Sequence, residues 1–238
     1  MKLKTKRLHD KLYLRENRYK KPKENFKFFM RLLKSHIYKN KSYKLLDIGC
    51  ANGELLWNLN KSFNNLSLYG LDIRGDLIKK AKKYCKNVKF FKKNIAKNNT
   101  FVGKFDIIII SGVLSCTNDP SVVIKNLKNN LNKKGMIFLF DNMTDFKFNS
   151  FLKYQDLVNE NKILQSGYNI YSVNLIVNLF KKIVKAKKTK IAPFFIKKEI
   201  KQHKNDLMRS WTIKINNKRY FTNATGLILK QFWIIAKT

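Results

Sequence analysis

The ten residues from Leu45 to Glu54 constrain this chain more than any other stretch. The apolar run Leu45-Leu46 ends in an acid, Asp47, and Ile48 leads into a loop with glycines at its first and fifth positions, Gly49 and Gly53. Glu54-Leu55-Leu56-Trp57 then reads as the start of a helix. A buried strand, a tight turn and a helix start in that order put free backbone N–H groups and a positive helix end at the carboxyl edge of a sheet, where open α/β folds bind their ligands. The two glycines let the backbone turn sharply and approach a ligand closely. With Cys50, Ala51 and Asn52 between them the spacing is G-x-x-x-G, so the dinucleotide-binding pattern G-x-G-x-x-G is not met.

The rest of the chain repeats the same alternation. Leu66 to Ile73 is a second apolar strand closing on an acid, Asp72, nineteen positions beyond Gly53. That is the distance a parallel strand needs once a helix has crossed back, and a carboxylate there can accept hydrogen bonds from both ribose hydroxyls of a nucleoside. Asp76 is placed to cap a helix through Leu77, Ile78, Ala81 and Tyr84. Val88 to Phe91 reads as a third strand, followed by Asn94-Ile95. Phe105 to Ser111 is a continuous β-branched run, the signature of a central parallel strand buried on both faces. Val122 to Leu131 reads as a helix stopped at Lys133-Lys134-Gly135, and Met136 to Phe140 as a fifth strand ending at Asp141-Asn142.

The glycine loop, and the order of strand, Asp119-Pro120 loop, helix, Lys-Lys-Gly and strand after it, resemble the class I S-adenosylmethionine (SAM)-dependent methyltransferases over roughly residues 43–142. In that family an apolar strand precedes D-x-G-x-G-x-G; here Ala51 stands for the central glycine. The resemblance implies a Rossmann-like α/β fold, a seven-stranded, mostly parallel sheet with helices on both faces and an antiparallel closing strand, formed here by Phe232 to Ala236. It implies SAM as cofactor, held by Asp47, Gly49, Cys50, Ala51, Gly53, Asp72, Ile73, Asn94, Ile95 and Ser111, with Asn94 toward the adenine amino group. Family members that methylate exocyclic base amines carry an Asn/Asp-Pro-Pro-Tyr/Phe loop after the fourth strand. Ser111-Gly112-Val113-Leu114 stands there instead, which argues against that chemistry and for small, sugar-linked or lipid-linked acceptors, methylated at oxygen.

Three regions flank this core, and the whole is expected to form one domain. Residues 1–42 are a basic arm whose first part is either a solvated extension or a lid, followed by a helix from Pro22 with Phe26, Phe29, Met30, Leu33 and Ile37 on one face. Residues 143–210 match no motif, and the resemblance implies that an insert after the fifth strand is a substrate cap; Tyr168 to Val184 is apolar on one face and lysine-rich on the other, which suits either a core helix or an anionic membrane surface, and Pro193 is expected to break the segment. Residues 211–238 are β-like, with Asn216-Asn217 as a hairpin turn.

Charge leaves two partner classes open for an enzyme, beside a third reading in which a non-catalytic module keeps the fold and binds an anionic partner. The formal net charge is +36, from 51 basic and 15 acidic side chains, as RNA binding would require. Yet nearly all the cations are lysine, and lysine, asparagine and isoleucine are abundant together, as AT-rich codons would give without selection for phosphate contact. A hydroxyl acceptor needs a base. His203, Asp141 and Asp119 are candidates; His9 and His36 sit in no catalytic setting. Cys50, Cys85 and Cys116 form no metal or disulfide pattern, no metal site is expected, no apolar signal or membrane-spanning run is seen, and the protein is expected to be cytoplasmic.

Overall fold

A computed structural model of the chain describes residues 12–155, 157, 164–204 and 206–238; His9 and the start of the basic arm lie outside them. The helix α1 (Glu24–Lys34) precedes β1 (Tyr43–Ile48), α2 (Glu54–Ser62), β2 (Leu66–Asp72), α3 (Gly75–Tyr84), β3 (Lys89–Lys92) and β4 (Phe105–Ser111). Then come α4 (Pro120–Asn130), the long β5 (Leu131–Thr144), short strands β6 (Lys153–Tyr154), β7 (Gln165–Ser166) and β8 (Tyr171–Ser172), α5 (Val173–Leu179) with a wide turn to Val184, and β9 (Lys188–Phe194). The hairpin β10 (Trp211–Ile215) and β11 (Lys218–Thr222) and the last strand β12 (Gln231–Lys237) complete the order.

The main sheet runs β3-β2-β1-β4-β5-β12-β9, with β8 added to the end of β5. From β3 to β5 neighbours are parallel, and β12 is antiparallel to both β5 and β9. This is the mostly parallel sheet with an antiparallel closing strand that the resemblance implies. Successive residues of the central strands point to opposite faces. Leu46, Ile108, Ile110, Leu139 and Ile234 pack with α4 and α5, whereas Leu45, Ile107, Ile109, Phe138 and Trp233 pack with α1 and α2. Both faces are dry, which is why Ile107 to Ile110 shows no polar alternation.

Three expectations change. Asp76 is not the cap of α3: Arg74 holds that position, and the Asp76 carboxylate accepts from the Leu77 N–H at 2.9 Å and from the Arg74 guanidinium. Pro193 does not break a segment but lies within β9, tolerated there because β9 is an edge strand paired only with β12. The basic amphipathic stretch is shorter than its pattern and belongs to the core, burying Ile176, Phe180 and Val184 and leaving Lys181, Lys182 and Lys185 exposed.

Asparagine abundance hides two structural residues. Asn126 and Asn130, one turn apart on α4, are fully buried and clip the loop after β3. Asn126 Nδ2 donates to the Ile95 and Lys97 carbonyls at 2.7 and 2.8 Å, and Asn130 Oδ1 accepts from the Val102 N–H at 2.9 Å. That clip places Asn94 and Ile95 at the sheet edge.

Candidate active site

The carboxyl ends of β1, β2, β4 and β5 open into one cavity of about 1000 Å³. Its floor is the loop from Gly49 to Gly53. Gly49 and Gly53 both take left-handed backbone angles, φ +75° and +79°, and a Cβ on Gly49 would stand 2.4 Å from Val113 Cγ2. Ala51, at φ +47°, adopts the same region as a non-glycine residue. Four of the loop's N–H groups are engaged within the fold. Gly49 and Cys50 donate to the Leu71 carbonyl at 2.7 and 3.1 Å, Gly53 to the Cys50 carbonyl at 2.8 Å, and Ala51 to Asp72 Oδ2 at 2.9 Å. Those four bonds fix the loop in a shape that a ligand can approach closely.

The acids set the electrostatics. Asp72 is buried, and its two oxygens accept from the N–H groups of Ala51 and of Arg74, the latter at 2.8 Å. Asp47 is 3% exposed on the cavity wall and accepts no hydrogen bond from any described residue. Burial, and secondarily the charge of Asp72, push its carboxyl up to about 8. Glu54, in the first turn of α2, is buried too, its Oε1 accepting from the Arg18 N–H at 2.8 Å. Glu16, Glu24, Asp47, Glu54, Asp72, Asp141 and Glu199 line the cavity, seven of the chain's fifteen acids, against seven of its 51 basic residues. Within a protein of charge +36 this near balance makes the cavity far less positive than the rest of the surface, so a cationic ligand is not repelled from it.

The remaining expected cofactor residues converge on the same space. Ile73 is a 58% exposed aliphatic side chain on the wall, able to cover a flat apolar ring. Asn94 lines the wall while its Oδ1 closes a turn by accepting from the Ala96 N–H at 2.9 Å; Ile95 and, at the end of β4, Ser111 line the same cavity. Cys50 contributes to the wall, but its sulfur packs inward, where a Cβ on Gly70 would stand 2.8 Å away.

Of the three candidate bases, only Asp141 lines the cavity. Its carboxyl, raised by burial to about 6, accepts from the Ser115 N–H at 3.1 Å and fixes the turn after β4. Asp119 is exposed and caps α4 through the Ser121 N–H and hydroxyl at 2.8 and 2.6 Å. His203 is half-buried in the segment before β10 and does not line the cavity. Among the described residues, no three His, Cys, Asp or Glu side chains are grouped to hold a metal.

The outer walls come from the arm and from the segments after β9, in which sequence reasoning singled out no individual wall residue. The arm from Tyr13 to Phe26 crosses the glycine loop. The Tyr19 hydroxyl donates to the Asn52 carbonyl at 2.7 Å, its ring stacks on Tyr84 with centroids 4.2 Å apart, and Lys80 Nζ holds the Leu14 carbonyl at 2.8 Å. These contacts hold this part of the arm against the glycine loop and α3. Opposite it, Phe194, Ile196, Ile200, Arg209 and Phe221 form a cap, and an ion pair from Arg209 to Glu16 joins cap to arm. Tyr19→Phe removes one buried hydrogen bond and is expected to lower stability by about 1 kcal/mol; urea unfolding monitored by tryptophan fluorescence checks it, and an unchanged midpoint would detach the arm from the folded unit.

A Rossmann-like sheet with a glycine loop under a pair of buried carboxyls defines a nucleoside-cofactor enzyme of the methyltransferase class. The profile of the methyltransferase domain family matches residues 39–211, and the chain belongs to that family. Its fold is that of SAM-dependent methyltransferases. Over 114 residues it is 30% identical to a tRNA U34 carboxymethyltransferase of Campylobacter lari, a match covering 45% of this chain and 38% of that protein. Thus the chain spans under two fifths of the curated relative's length. In structure it resembles a SAM-dependent methyltransferase of Methanosarcina mazei (TM-score 0.57, 16% identity, covering 87% of this chain and 96% of that one). It also resembles a Haloferax volcanii methyltransferase in complex with the Trm112 activator (TM-score 0.63, 9% identity, 97% and 98% covered).

Proposed function

We propose that the chain methylates a small acceptor, free or linked to a sugar or lipid, at an oxygen atom inside the walled cavity. The observation that carries this reading is the joining of arm and cap through Glu16 and Arg209 over the sheet edge, which walls a half-open cavity of about 1000 Å³. That is at the upper end of the roughly 300–1000 Å³ typical of small-molecule pockets, enough for the cofactor and one compact group. SAM supplies an electrophilic methyl group beside a positive sulfur. In this reading Asp72 receives the ribose hydroxyls, Ile73 covers the adenine face, Asn94 and Ile95 meet its edge, and Asp47 receives the amino group of the methionine part. Cys50, Gly49, Ala51, Gly53 and Ser111 shape the floor and wall. Holding both reactants in line and near one another can supply much of the rate. The acceptor hydroxyl must lose its proton, and Asp141, a carboxyl near 6 on the cavity wall, is the group placed to take it.

A second reading is RNA, favoured by the curated tRNA-modifying relative and by the chain's charge. Incubation with methyl-labelled SAM and source-cell extract, followed by separation into RNA, protein, lipid and small-molecule fractions, decides between them. Label in the small-molecule or lipid fraction is the expected result; label confined to RNA would overturn the first reading. The mass of the product distinguishes a transferred methyl from a carboxymethyl group.

A further inference from the structure

The side of the cavity formed by β5, β12 and β9 differs in chemistry from the side under the glycine loop, where Asp47, Glu54 and Asp72 stand. Gln231 of β12 is paired with both Asn142 of β5 and Phe194 of β9, so these three side chains form one row on one face of the sheet. Phe140, two residues before Asn142, points to that same face. All four line the cavity, as do Ile196 and Phe221. The rings are fitted to one another. Phe194 meets Phe140 edge to face with centroids 5.4 Å apart, and lies 15° from parallel to Phe221 with centroids 6.5 Å apart. Phe140, Phe194 and Phe221 are only 5%, 8% and 8% exposed, so packing sets their rotamers before any ligand arrives. The polar side chains of the row are two neutral amides, and Gln231 Nε2 donates to Asn142 Oδ1 at 3.1 Å. The row also begins beside the candidate base, since Phe140 pairs with Ser111 of β4 and precedes Asp141.

We infer that the acceptor carries its hydroxyl on an aromatic ring, seated against Phe140, Phe194 and Phe221 with the Asn142–Gln231 amide pair at its edge. This deepens the proposed function and rests on it, narrowing the acceptor to a phenol. A rigid ring against preset aromatic walls gains face and edge contacts beyond the area it buries, and has no rotamers to lose. A sugar would bring several hydroxyls to a row whose two amides bond to each other, and each hydroxyl left unmet weakens binding. An aliphatic chain would find apolar surface but forfeit the ring contacts and lose its own freedom on ordering. A nucleobase is flat too, but it is read through several donors and acceptors along its edge, more than one amide pair supplies. Acidity points the same way. A carboxyl at about 6, where burial leaves Asp141, takes a proton far more readily from a phenol, at about 10, than from an alcohol close to the value of water, about 15.7.

Ligand-observed NMR titration of the full chain, saturated with S-adenosylhomocysteine, tests the inference. The probes are β-naphthol and β-decalol, its fully hydrogenated counterpart, beside methyl glucoside and an oligouridylate. β-Naphthol is expected to bind about tenfold more tightly than β-decalol, and neither the glucoside nor the oligouridylate to displace it. F194L and F221L keep an apolar side chain but remove a ring. Each is expected to weaken β-naphthol between about twofold and about tenfold and to leave β-decalol as in the parent. Parental affinity for S-adenosylhomocysteine shows that each variant keeps its fold. No binding of β-naphthol, β-decalol binding as tightly, or variants that weaken both probes alike would overturn the inference. So would an oligouridylate that displaces β-naphthol. In the labelling experiment, label in a small molecule without an aromatic ring overturns the inference and leaves the proposed function standing, whereas label confined to RNA removes both.

Discussion

Asp72→Ala is expected to lower SAM affinity between a hundredfold and a thousandfold. Two hydrogen bonds from ribose hydroxyls to an ionised carboxylate, at roughly 1.5–2 kcal/mol each, correspond to about 3–4 kcal/mol, and each 1.4 kcal/mol is about tenfold. The same carboxylate also holds the backbone N–H groups of Ala51 and Arg74 at 2.9 and 2.8 Å, so its loss loosens the loop as well as the ligand contact. Asp72→Asn separates the two contributions only in part. An amide can accept from one of the two N–H groups but turns its own N–H₂ toward the other, so a large loss is expected there too. Titration calorimetry gives the affinity, and a melting curve of the unliganded variant shows whether the fold persists. A folded Asp72→Ala protein with parental affinity would remove Asp72 from the cofactor site.

The parts of the site legible in the sequence are those built from local spacing. Gly49, Gly53 and the acids closing β1 and β2 fall at the sheet edge because each strand carries its own acid at its carboxyl end, and parallel pairing brings the ends together. Ile107 to Ile110 could be read as a central strand because burial on both faces leaves no room for alternation. What sequence could not give was closure at long range. Tyr19 meets Asn52 across 33 positions, and Glu16 meets Arg209 across the whole core. No periodicity marks such partners, since each is a single side chain on an irregular segment. Asp119 and Asp141 show the same limit from another side. Both are acids at strand or loop ends, and only their hydrogen bonds reveal one as a helix cap on the surface and the other as a buried anchor in the cavity. The β9 strand was missed because proline argues against a strand until its edge position is known.

SAM affinity is expected to climb with pH up to about 8, roughly tenfold per unit, and so on the order of a hundredfold between pH 6 and 8. Without cofactor the Asp47 carboxyl, pushed up by burial and by the charge of Asp72 to about 8, keeps its proton at neutral pH. An ammonium group beside it favours the carboxylate, so binding expels that proton, and the work of expelling it falls as pH approaches 8. Above about pH 8 the cofactor's own amino group, an α-amine of ordinary pKa near 7.7–8, begins to lose its charge, and affinity should level off and fall. Stability of the unliganded chain runs the other way. An unfolded Asp47 ionises near 3.8 and the folded one near 8, so the folded state holds the extra proton between those values, and its stability falls as pH rises through that window. Asp47→Asn removes both dependences at once. The variant should bind SAM with a flat profile from pH 6 to 8, lose more affinity relative to the parent at pH 8 than at pH 6, and gain relative stability as pH rises. Calorimetry in two buffers of different ionisation enthalpy counts the proton released at pH 7. A parent that releases none, or a variant whose pH profile parallels the parent's, would mean that Asp47 does not meet the amino group.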